Sequence, residues 1–404
     1  MGMKYVSRVL VGAVLVFTMF GTAFAAVTDE AIKAWVTSNE EALFADWTEL
    51  VLIPGKSRKE QQRGEWIKKK FEEVGLNDVK MDDYGNVYGM MKGNPGTETI
   101  VIGAHMDTVF DLNAEELKAF YKVEDGWLNC PGSGDDTPAN VALIWLKKGM
   151  DALGITPTAN IVFLSTVQEE IGLYGMKYYL NNVEKKPDML IAVDGGLGNL
   201  AAGGMGINWY KVYARTPARH TNRSWGFPSA MKSMALAITE AYKYHEKDNP
   251  TPTLRLNLGV IGGGTVENAV AEEVWVTLDM RCQDPDRLKA MEDEVFQGMQ
   301  KAIEDSGATY EREVVMEISA GQVPGVENHK LVKTMQDTLQ ALGLESEVTY
   351  SGSTDGNVAM AMGIPAVSIG VQTSENGHAF EERTKIDTFY VGVRQLLMLM
   401  ERLK

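Results

Sequence analysis

The sequence predicts an α/β fold in which a large domain is interrupted by a smaller α+β domain. In the first half, short apolar runs typical of buried strands alternate with stretches of helical periodicity, as in a sheet covered by helices on both faces. From residue 204 the strands instead have one apolar and one polar face, which suits an α+β module with an open side. The first pattern returns near residue 328. We therefore predict a large domain of residues 26–203 and 318–404 around an inserted domain of residues 204–317.

The first 25 residues have the pattern of a secretory signal peptide. Lys4 and Arg8 precede an apolar run, and an Ala-Phe-Ala sequence ending at Ala25 fits a small-x-small cleavage site. The alternative is an uncleaved membrane anchor, because residues 9–26 form an uncharged stretch of 18 residues. We expect cleavage after Ala25, no stable membrane insertion afterwards, and a periplasmic or secreted protein.

The composition is that of an acidic globular protein. The 404 residues are 45% hydrophobic and carry a net charge of −16, which becomes −18 when the two basic residues of the signal peptide are removed. A chain this acidic repels nucleic acid and anionic membranes. Cys130 and Cys282 are too few for a disulfide framework, although one bridge remains open. We interpret the 22 methionines as residues that fill the hydrophobic core rather than as a metal-binding motif.

The first part of the large domain is predicted to alternate helices with strands. Trp47 in the first helical stretch and Phe71 in the second occupy core-facing positions. The predicted helices cover residues 31–52, 59–73 and 139–153. The predicted strands cover residues 79–91 with a turn near Gly85, 99–104, 160–167 and 189–193. Residues 110–129 have mixed character and are predicted to be a long loop or a short helix.

The inserted domain is predicted to contain three strands and two helices. The strands cover residues 209–214, 254–260 and 273–281, and the helices cover residues 229–244 and 286–304. The third strand alternates strictly, with Val274, Val276, Leu278 and Met280 on one face. The large domain then continues with helices at 328–342 and 358–362, strands at 347–350 and 366–370, and a closing helix to Leu403.

Side chains with metal-binding or acid–base chemistry follow the predicted buried strands or a glycine-rich turn. They are His105, Asp107, Asp135, Glu169, Glu170, Asp194 and His378. Individually they have simpler readings, since a histidine at a strand end is often a hydrogen-bonded structural residue and Asp194 could be a solvated loop carboxylate. In open α/β sheets, however, ligands bind at the carboxyl ends of the strands. We therefore expect these groups to converge although they are far apart in the sequence.

The residue types at these positions indicate a metal site. Two histidines and several carboxylates without a thiolate favour Zn²⁺, with Co²⁺ or Mn²⁺ as alternatives. Five ligands are too many for one tetrahedral catalytic ion that keeps a water. They suit two ions about 3.5–4 Å apart, bridged by a carboxylate and by a water that becomes hydroxide. Of the adjacent glutamates, one can bind metal while the other acts as the general base.

The motifs together resemble the M20 family of di-zinc metallopeptidases, which includes glutamate carboxypeptidases, tripeptidases of the peptidase T type, dipeptidases and aminoacylases. The resemblance covers residues 30–404. It rests on His105-x-Asp107, Gly134-Asp135-Asp136, Glu169-Glu170-x-Gly172, Asp194-Gly195 and Gly377-His378-Ala379-Phe380-Glu381. It implies a zinc-peptidase catalytic domain with a central mixed sheet flanked by helices, interrupted by a smaller lid or dimerisation domain.

The resemblance also implies a role for each residue of the metal site. Asp135 would bridge two zinc ions in each subunit. The further ligands would be His105 and Asp194 for one ion, and Glu170 and His378 for the other. Glu169 would be the general base, and Asp107 would orient His105.

In the inserted domain, the resemblance implies substrate-binding groups. His220, Asn268 and Arg281 match positions that bind the substrate carboxylate or the oxyanion in this family. The family's counterpart of His220 often reaches the site of the partner subunit, which implies a homodimer through the inserted domain. Arg281 also has a simpler reading as a strand residue paired with an acid. His245 and His329 are predicted to be surface residues.

The chain departs from the family pattern at three places, none of which touches a metal ligand. Thr137-Pro138 replaces a common lysine after the paired aspartates, residues 221–228 are not the usual small-residue segment, and Ser229-Ala230 replaces a frequent Asn-Ala.

The sequence therefore predicts a metal-dependent exopeptidase that hydrolyses short peptides through a zinc-bridged hydroxide, with Glu169 as the base. One alternative is an N-acyl-amino-acid amidohydrolase of the aminoacylase kind, which uses the same ligands. A second alternative is an inactive peptide-binding protein on the same scaffold.

Overall fold

A computed structural model of the chain describes residues 26–248 and 253–403. The predicted signal peptide and the side chain of His245 lie outside the described part. Among the helices of these two ranges, none combines the length and the apolar character needed to cross a membrane.

The described residues form helices and strands in the following order along the chain. The helices are α1 Asp29–Ser38, α2 Glu40–Val51, α3 Gln61–Glu73, α4 Ala114–Phe120, α5 Thr137–Leu153, α6 Tyr174–Asn182, α7 Ala230–Asp248, α8 Pro285–Asp305, α9 Lys330–Ala341, α10 Gly356–Ala361 and α11 Ile386–Leu403. The strands are β1 Asn77–Met81, β2 Val87–Met91, β3 Thr99–His105, β4 Lys122–Glu124, β5 Trp127–Asn129, β6 Asn160–Thr166, β7 Met189–Leu197, β8 Leu200–Ala201, β9 Gly206–Arg215, β10 Arg219–His220, β11 Leu254–Gly263, β12 Ala269–Val270, β13 Glu273–Cys282, β14 Thr309–Ile318, β15 Ala366–Gly370, β16 Thr373–Glu375 and β17 Arg383–Lys385.

The largest sheet has seven strands in the order β1-β2-β6-β3-β7-β15-β8. Its four central strands β6, β3, β7 and β15 are parallel, whereas β1, β2 and β8 pair antiparallel with their neighbours. This is the mixed central sheet that the sequence predicts. Because the central strands are parallel, their carboxyl ends share one edge of the sheet.

Helices cover both faces of this sheet, as the apolar composition of its strands predicts. On one face the main core joins strand residues such as Ile102 and Phe163 to Trp47, Phe71 and Phe389 of the helices. On the other face, α6 and α10 bury Val101, Leu164 and Leu190, and this second core also takes in Ile207, Met316 and Ile318 of β9 and β14. The core of the sheet is therefore continuous with the chain segment that we predict to be inserted.

A second sheet has four antiparallel strands in the order β11-β13-β9-β14. One face packs on α7 and α8 in a separate apolar core. Strand β13 alternates between buried and partly exposed residues along its whole length, so its predicted alternation is confirmed. Its odd-numbered residues, including Asp279 and Arg281, lie on the face that α7 and α8 do not cover. The domain boundaries at 204 and 317 and the lid role stay predictions.

Three sequence-based assignments are wrong in detail. The predicted helix 31–52 is broken at Asn39, whose side-chain amide donates to the carbonyl of Trp35 at 2.7 Å and so ends α1. Residues 347–350 form no strand, because Thr349 makes only an isolated bridge to Ala201. Strand β14 was not predicted, since most of its residues are exposed and lack an apolar period. Residues 110–129, which are predicted to be a long loop or a short helix, contain the short helix α4 and also strands β4 and β5.

Candidate metal centre

The residues predicted for the metal site lie at or beside the carboxyl edge of the central parallel strands. His105 is the last residue of β3, and its side chain is only 2% exposed. Glu169 and Glu170 follow the end of β6, and Asp194 lies within β7. His378 comes from the loop between β16 and β17. The convergence expected from the strand ends is thus found in the structure.

Asp135 lies at the centre of this cluster. Its Oδ1 atom is 2.9 Å from Nε2 of His105, and its Oδ2 atom is 3.0 Å from Nε2 of His378. Nε2 of His378 is also 3.1 Å from Oε2 of Glu170. Ligand atoms of His105, Asp135 and Glu170 all lie within 4.8 Å of one another.

This arrangement fits divalent metal ions. Each oxygen of Asp135 faces a different histidine, which is the placement that a bridging carboxylate requires. Oε1 of Glu170 is buried without a hydrogen-bond partner, so it has an unused lone pair in the cluster. Imidazole and carboxylate ligands without a thiolate suit Zn²⁺ and also Mn²⁺ or Co²⁺. The residues present can therefore hold a metal.

Asp107 connects His105 to the glutamate loop. It is fully buried, and its carboxylate accepts hydrogen bonds from the Ser57 hydroxyl at 2.6 Å and from the Glu169 and Glu170 amides at 2.9 and 3.3 Å. Its Oδ1 atom is 3.4 Å from Nδ1 of His105, while its own backbone carbonyl lies closer to that nitrogen, at 3.1 Å. Both oxygens fix the imidazole with Nε2 toward Asp135, which is the positioning expected of a group behind a metal-binding histidine.

Glu169 is a buried carboxylate whose pKa is raised. Burial raises its pKa well above the usual value, and the negative charges of Asp194, Asp355 and Glu170 raise it further, although His105 opposes them. A carboxylate with a raised pKa holds a proton more readily near neutral pH than an exposed one does. Burial also raises the pKa of Asp194 to about 7. Asp194 is not in the compact group of ligand atoms found in the described part, so its role as a ligand stays a prediction.

The histidines and Asp135 stabilise one another's charged forms. Hydrogen bonds to Asp135 and Glu170 raise the pKa of His378 to about 10. Burial alone would raise the pKa of Asp135, but hydrogen bonds from His105 and His378 lower it below its usual range. Burial opposes the charge of His105, yet Glu169, Asp107 and Asp135 raise its pKa well above normal. A bound metal ion would take the place of the protons on these histidines, because histidine binds a metal only as the neutral imidazole.

Two further carboxylates support the cluster and were not predicted from the sequence. Glu382 is fully buried and accepts hydrogen bonds from the amides of Gly132, Gly134 and Asp135 at 2.9, 2.7 and 3.1 Å. Asp136 accepts a hydrogen bond from the amide of His105 at 3.3 Å. In the sequence, only their positions indicated a role at the site, because Glu382 follows the His378 motif and Asp136 follows Asp135.

The three predicted substrate-binding residues lie on the inserted segment. His220 in β10 and Asn268 just before β12 are neighbours, because the amide of Thr221 donates to the Asn268 carbonyl at 3.0 Å. Arg281 in β13 forms an ion pair with Asp279, with Nη2 2.9 Å from Oδ2, so the simpler reading of this residue also holds. In the described ranges, no hydrogen bond or ion pair joins these three residues to the metal cluster.

The fold and the site define a hydrolytic enzyme of the metallopeptidase and amidohydrolase class. The structure is similar to that of a tripeptidase from Staphylococcus aureus, with a TM-score of 0.77, 24% sequence identity, and coverage of 90% of this chain and 98% of that chain. The sequence is 26% identical to the uncharacterized protein YqjE of Bacillus subtilis over 386 residues, which is 90% of this chain and 98% of the relative. It is 24% identical to succinyl-diaminopimelate desuccinylase of Corynebacterium glutamicum over 357 residues, which is 84% of this chain and 90% of the relative.

Residues 101–402 match Peptidase family M20/M25/M40, and the chain belongs to this family. The resemblance inferred from the sequence motifs is therefore confirmed.

Proposed function

We propose that this protein is a metal-dependent exopeptidase that hydrolyses the amide bonds of short peptides. The observation that carries the proposal is the sharing of Asp135 between His105 and His378 beside the buried Glu169. A carboxylate between two ligand sets and a neighbouring base is the combination that metal-assisted hydrolysis needs. The similarity to a solved tripeptidase supports a peptide as the substrate.

The residues of the site divide the chemistry among them. Bound divalent ions supply Lewis acidity and make water acidic enough to ionise near neutral pH. Glu169 accepts the proton of the attacking water and delivers it to the leaving amine. Asp107 holds both His105 and the amide of Glu169, so it keeps the base aligned with the ligands. We further propose that His220 stabilises the oxyanion and that Asn268 and Arg281 bind a free carboxylate of the substrate.

We propose two Zn²⁺ ions per subunit, with Co²⁺ or Mn²⁺ as substitutes. Asp135 would bridge them, with His105 and Asp194 on one side and Glu170 and His378 on the other. Metal analysis of the purified protein tests this number directly. About two equivalents are expected, and one equivalent in a fully active enzyme would contradict it.

A second candidate function is the hydrolysis of N-acylated amino acids. The relative from Corynebacterium glutamicum, a desuccinylase, favours it, because the alignment with this chain covers 90% of that protein. A panel of dipeptides, tripeptides and N-acyl amino acids, assayed on the mature protein with added zinc, cobalt or manganese, separates the candidates. We expect peptides to be cleaved at the highest kcat/KM. Faster cleavage of N-acyl amino acids would favour the second candidate, and bound but uncleaved peptide without metal would favour a binding protein.

We also propose that the protein acts in the periplasm or outside the cell. The basic, apolar and small-residue pattern that ends at Ala25 supports this. Amino-terminal sequencing of the protein recovered from its native compartment should begin at Ala26. An intact amino terminus on membrane-bound protein would support the anchor instead.

A further inference from the structure

A cavity of about 430 Å³ lies directly beside the metal cluster. Glu170 forms part of its wall, so any group bound there is next to the reacting centre. Most of the remaining wall is apolar, although it is built from segments far apart in the sequence. The apolar lining residues are Val109, Ile171, Tyr174, Trp209, Val315 and Met316. A cavity of this size and character is at the lower end of the range for small-ligand sites.

The apolar wall consists of side chains that solvent reaches in the structure. Val109, Trp209 and Val315 are 37%, 40% and 48% exposed. Exposed apolar side chains gathered around a concave surface are a usual mark of a ligand site rather than of a core. Their exposure beside a metal ligand indicates that an apolar group of the substrate covers them.

The local backbone aims two of these side chains into the cavity. Strand β14 has a register shift at Val315, since Val314 pairs with Tyr210 and Met316 pairs with Trp209. Such a bulge redirects side chains and is frequent next to active sites. Tyr174, another lining residue, has the ammonium of Lys177 5.3 Å from the centre of its ring, and this ammonium donates to the carbonyl of Glu317 in β14. This hydrogen bond links helix α6, which carries Tyr174, to strand β14, which carries Val315 and Met316.

The guanidinium of Arg281, which we propose to bind the substrate carboxylate, lies close to the Trp209 side of this cavity. Trp209 of β9 is the direct cross-strand partner of Asp279 in β13. Directly paired residues lie about 5 Å apart. Asp279 in turn binds Nε and Nη2 of Arg281, and Nη1 lies outside this pair. An amino acid with its carboxylate at Arg281 would thus have its side chain within reach of Trp209.

The cavity also has basic side chains in its wall. Lys56 and Arg58 line it, and the ammonium of Lys56 is 3.1 Å from a carboxylate oxygen of Asp111. Arg58 is exposed, and no ion pair engages it within the described ranges. A basic substrate side chain would meet this charge, whereas an apolar one would not.

We propose that this cavity binds the side chain of the substrate residue that carries the free carboxylate, and that it selects large apolar side chains over small or basic ones. The proposal rests on the proposed function, because it places the substrate by the metal cluster and by Arg281. It adds the substrate class that the motifs leave open, namely peptides or N-acyl amino acids ending in residues such as leucine or phenylalanine.

The first test compares the substrates Ala-Gly, Ala-Ala, Ala-Leu, Ala-Phe and Ala-Lys with the zinc-loaded mature enzyme. Burial of the larger side chain should raise kcat/KM for Ala-Phe and Ala-Leu about 10- to 100-fold over Ala-Ala. The variants Trp209→Ala and Val315→Asp should remove most of this preference, because kcat/KM should fall much more for Ala-Phe and Ala-Leu than for Ala-Ala. Trp275→Ala is the matched control, because Trp275 lies on the same sheet face in β13, opposite Tyr213, which is four residues along β9 from Trp209. It should retain the wild-type preference.

The second test separates failure of the cavity from failure of the proposed function. Binding of N-acetyl-phenylalanine and N-acetyl-alanine to the zinc-loaded Glu169→Ala variant is measured by calorimetry, which needs no turnover. The phenylalanine ligand should bind about 10-fold more tightly, and adding Trp209→Ala should abolish the difference. If no peptide or acyl amino acid is hydrolysed but this binding difference is found, the proposed function is wrong and the cavity assignment stands. Equal binding of the two ligands, or an equal loss for all substrates in Trp209→Ala, would overturn the inference.

Discussion

At the scale of single residues, Asp135 is positioned by contacts to both its backbone and its side chain. Glu382 accepts the hydrogen bond of its amide, while His105 and His378 face its two carboxylate oxygens. Burial raises the pKa of Glu382 to about 7, but three amides donating to its carboxylate oppose that rise. The sequence led to Asp135 and both histidines through their motifs. It could not single out Glu382, because Glu381 next to it is the same residue type and only the fold buries one of them.

We predict that Glu382→Gln lowers the affinity for zinc by about 10- to 100-fold, the usual effect of removing a group that orients metal ligands. Glutamine has one acceptor oxygen for three amide donors, and its own NH₂ group would oppose a backbone N–H. The affinity can be measured by competition with a zinc-binding chromophore. Glu381→Gln is the matched control and should bind zinc like the wild type. Unchanged affinity in Glu382→Gln would show that the loop of Asp135 is held by other contacts.

At the scale of helices and strands, the sequence predicts best those elements that bury one complete face. Strand β13 and strand β15 follow their apolar patterns closely, because the apolar side chains on the predicted face of β13 and those of β15 lie in a core. Strand β14 gives no such pattern, since solvent reaches most of its residues and its neighbour β9 supplies the pairing. The break at Asn39 also has no periodic signal, because one side-chain hydrogen bond makes it. Elements that are fixed only by strand pairing or by a side-chain cap therefore cannot be predicted from hydrophobic periodicity.

His329 caps the start of helix α9, although the sequence predicted only a surface residue at this position. Nδ1 of His329 accepts the amide hydrogen of Leu331 at 3.3 Å, and the side chain is partly buried. Burial and the neighbouring charge of Lys330 lower the pKa of His329 below its usual value, although Glu98 opposes them. Only the neutral ring can accept the hydrogen bond from Leu331. A lowered pKa in the folded state means that the cap stabilises the protein above about pH 6.5 and that this stabilisation is lost as the pH falls.

We predict that His329→Ala lowers the free energy of unfolding by about 1 kcal/mol at pH 8, the usual value of a helix cap. The loss should be smaller at pH 5, because the imidazole of the unfolded wild-type chain is protonated below about pH 6.5, which removes stability that the variant does not have. Urea denaturation at the two pH values measures both differences. His329→Ser keeps a capping oxygen that does not titrate and should show no such pH dependence. An equal loss at both pH values would mean that His329 does not act as a cap.

At the scale of the whole molecule, parallel strands bring together a metal cluster whose members extend from His105 to His378. Its convergence could be predicted, because carboxyl ends of parallel strands share an edge. The relation of this cluster to His220, Asn268 and Arg281 could not be predicted, since it depends on how the second sheet packs on the first. The two sheets pack through a shared core that contains Ile207 and Ile318. No local sequence pattern predicts this core.

The second sheet also has an edge suited to self-association. Strand β11 lies at the end of the strand order, and its residues Val260 and Ile261 are 55% and 56% exposed. Exposed apolar edge strands are templates for pairing with another chain. We predict a homodimer through this edge, seen as twice the monomer mass in sedimentation, and a monomer for Ile261→Lys. Val123→Lys, at a 47% exposed position of the large domain, should remain dimeric. A monomeric wild type would contradict the dimer.

The central claim is that Glu169 is the base of a metal-dependent hydrolase, and the variant Glu169→Ala tests it most directly. The measurement is the metal content of wild type and variant together with kcat on the best substrate of the panel. We predict equal metal content and a loss in kcat of at least about 10²- to 10⁴-fold, the range for removal of a general base. Retained turnover in a fully metal-loaded variant would contradict the account.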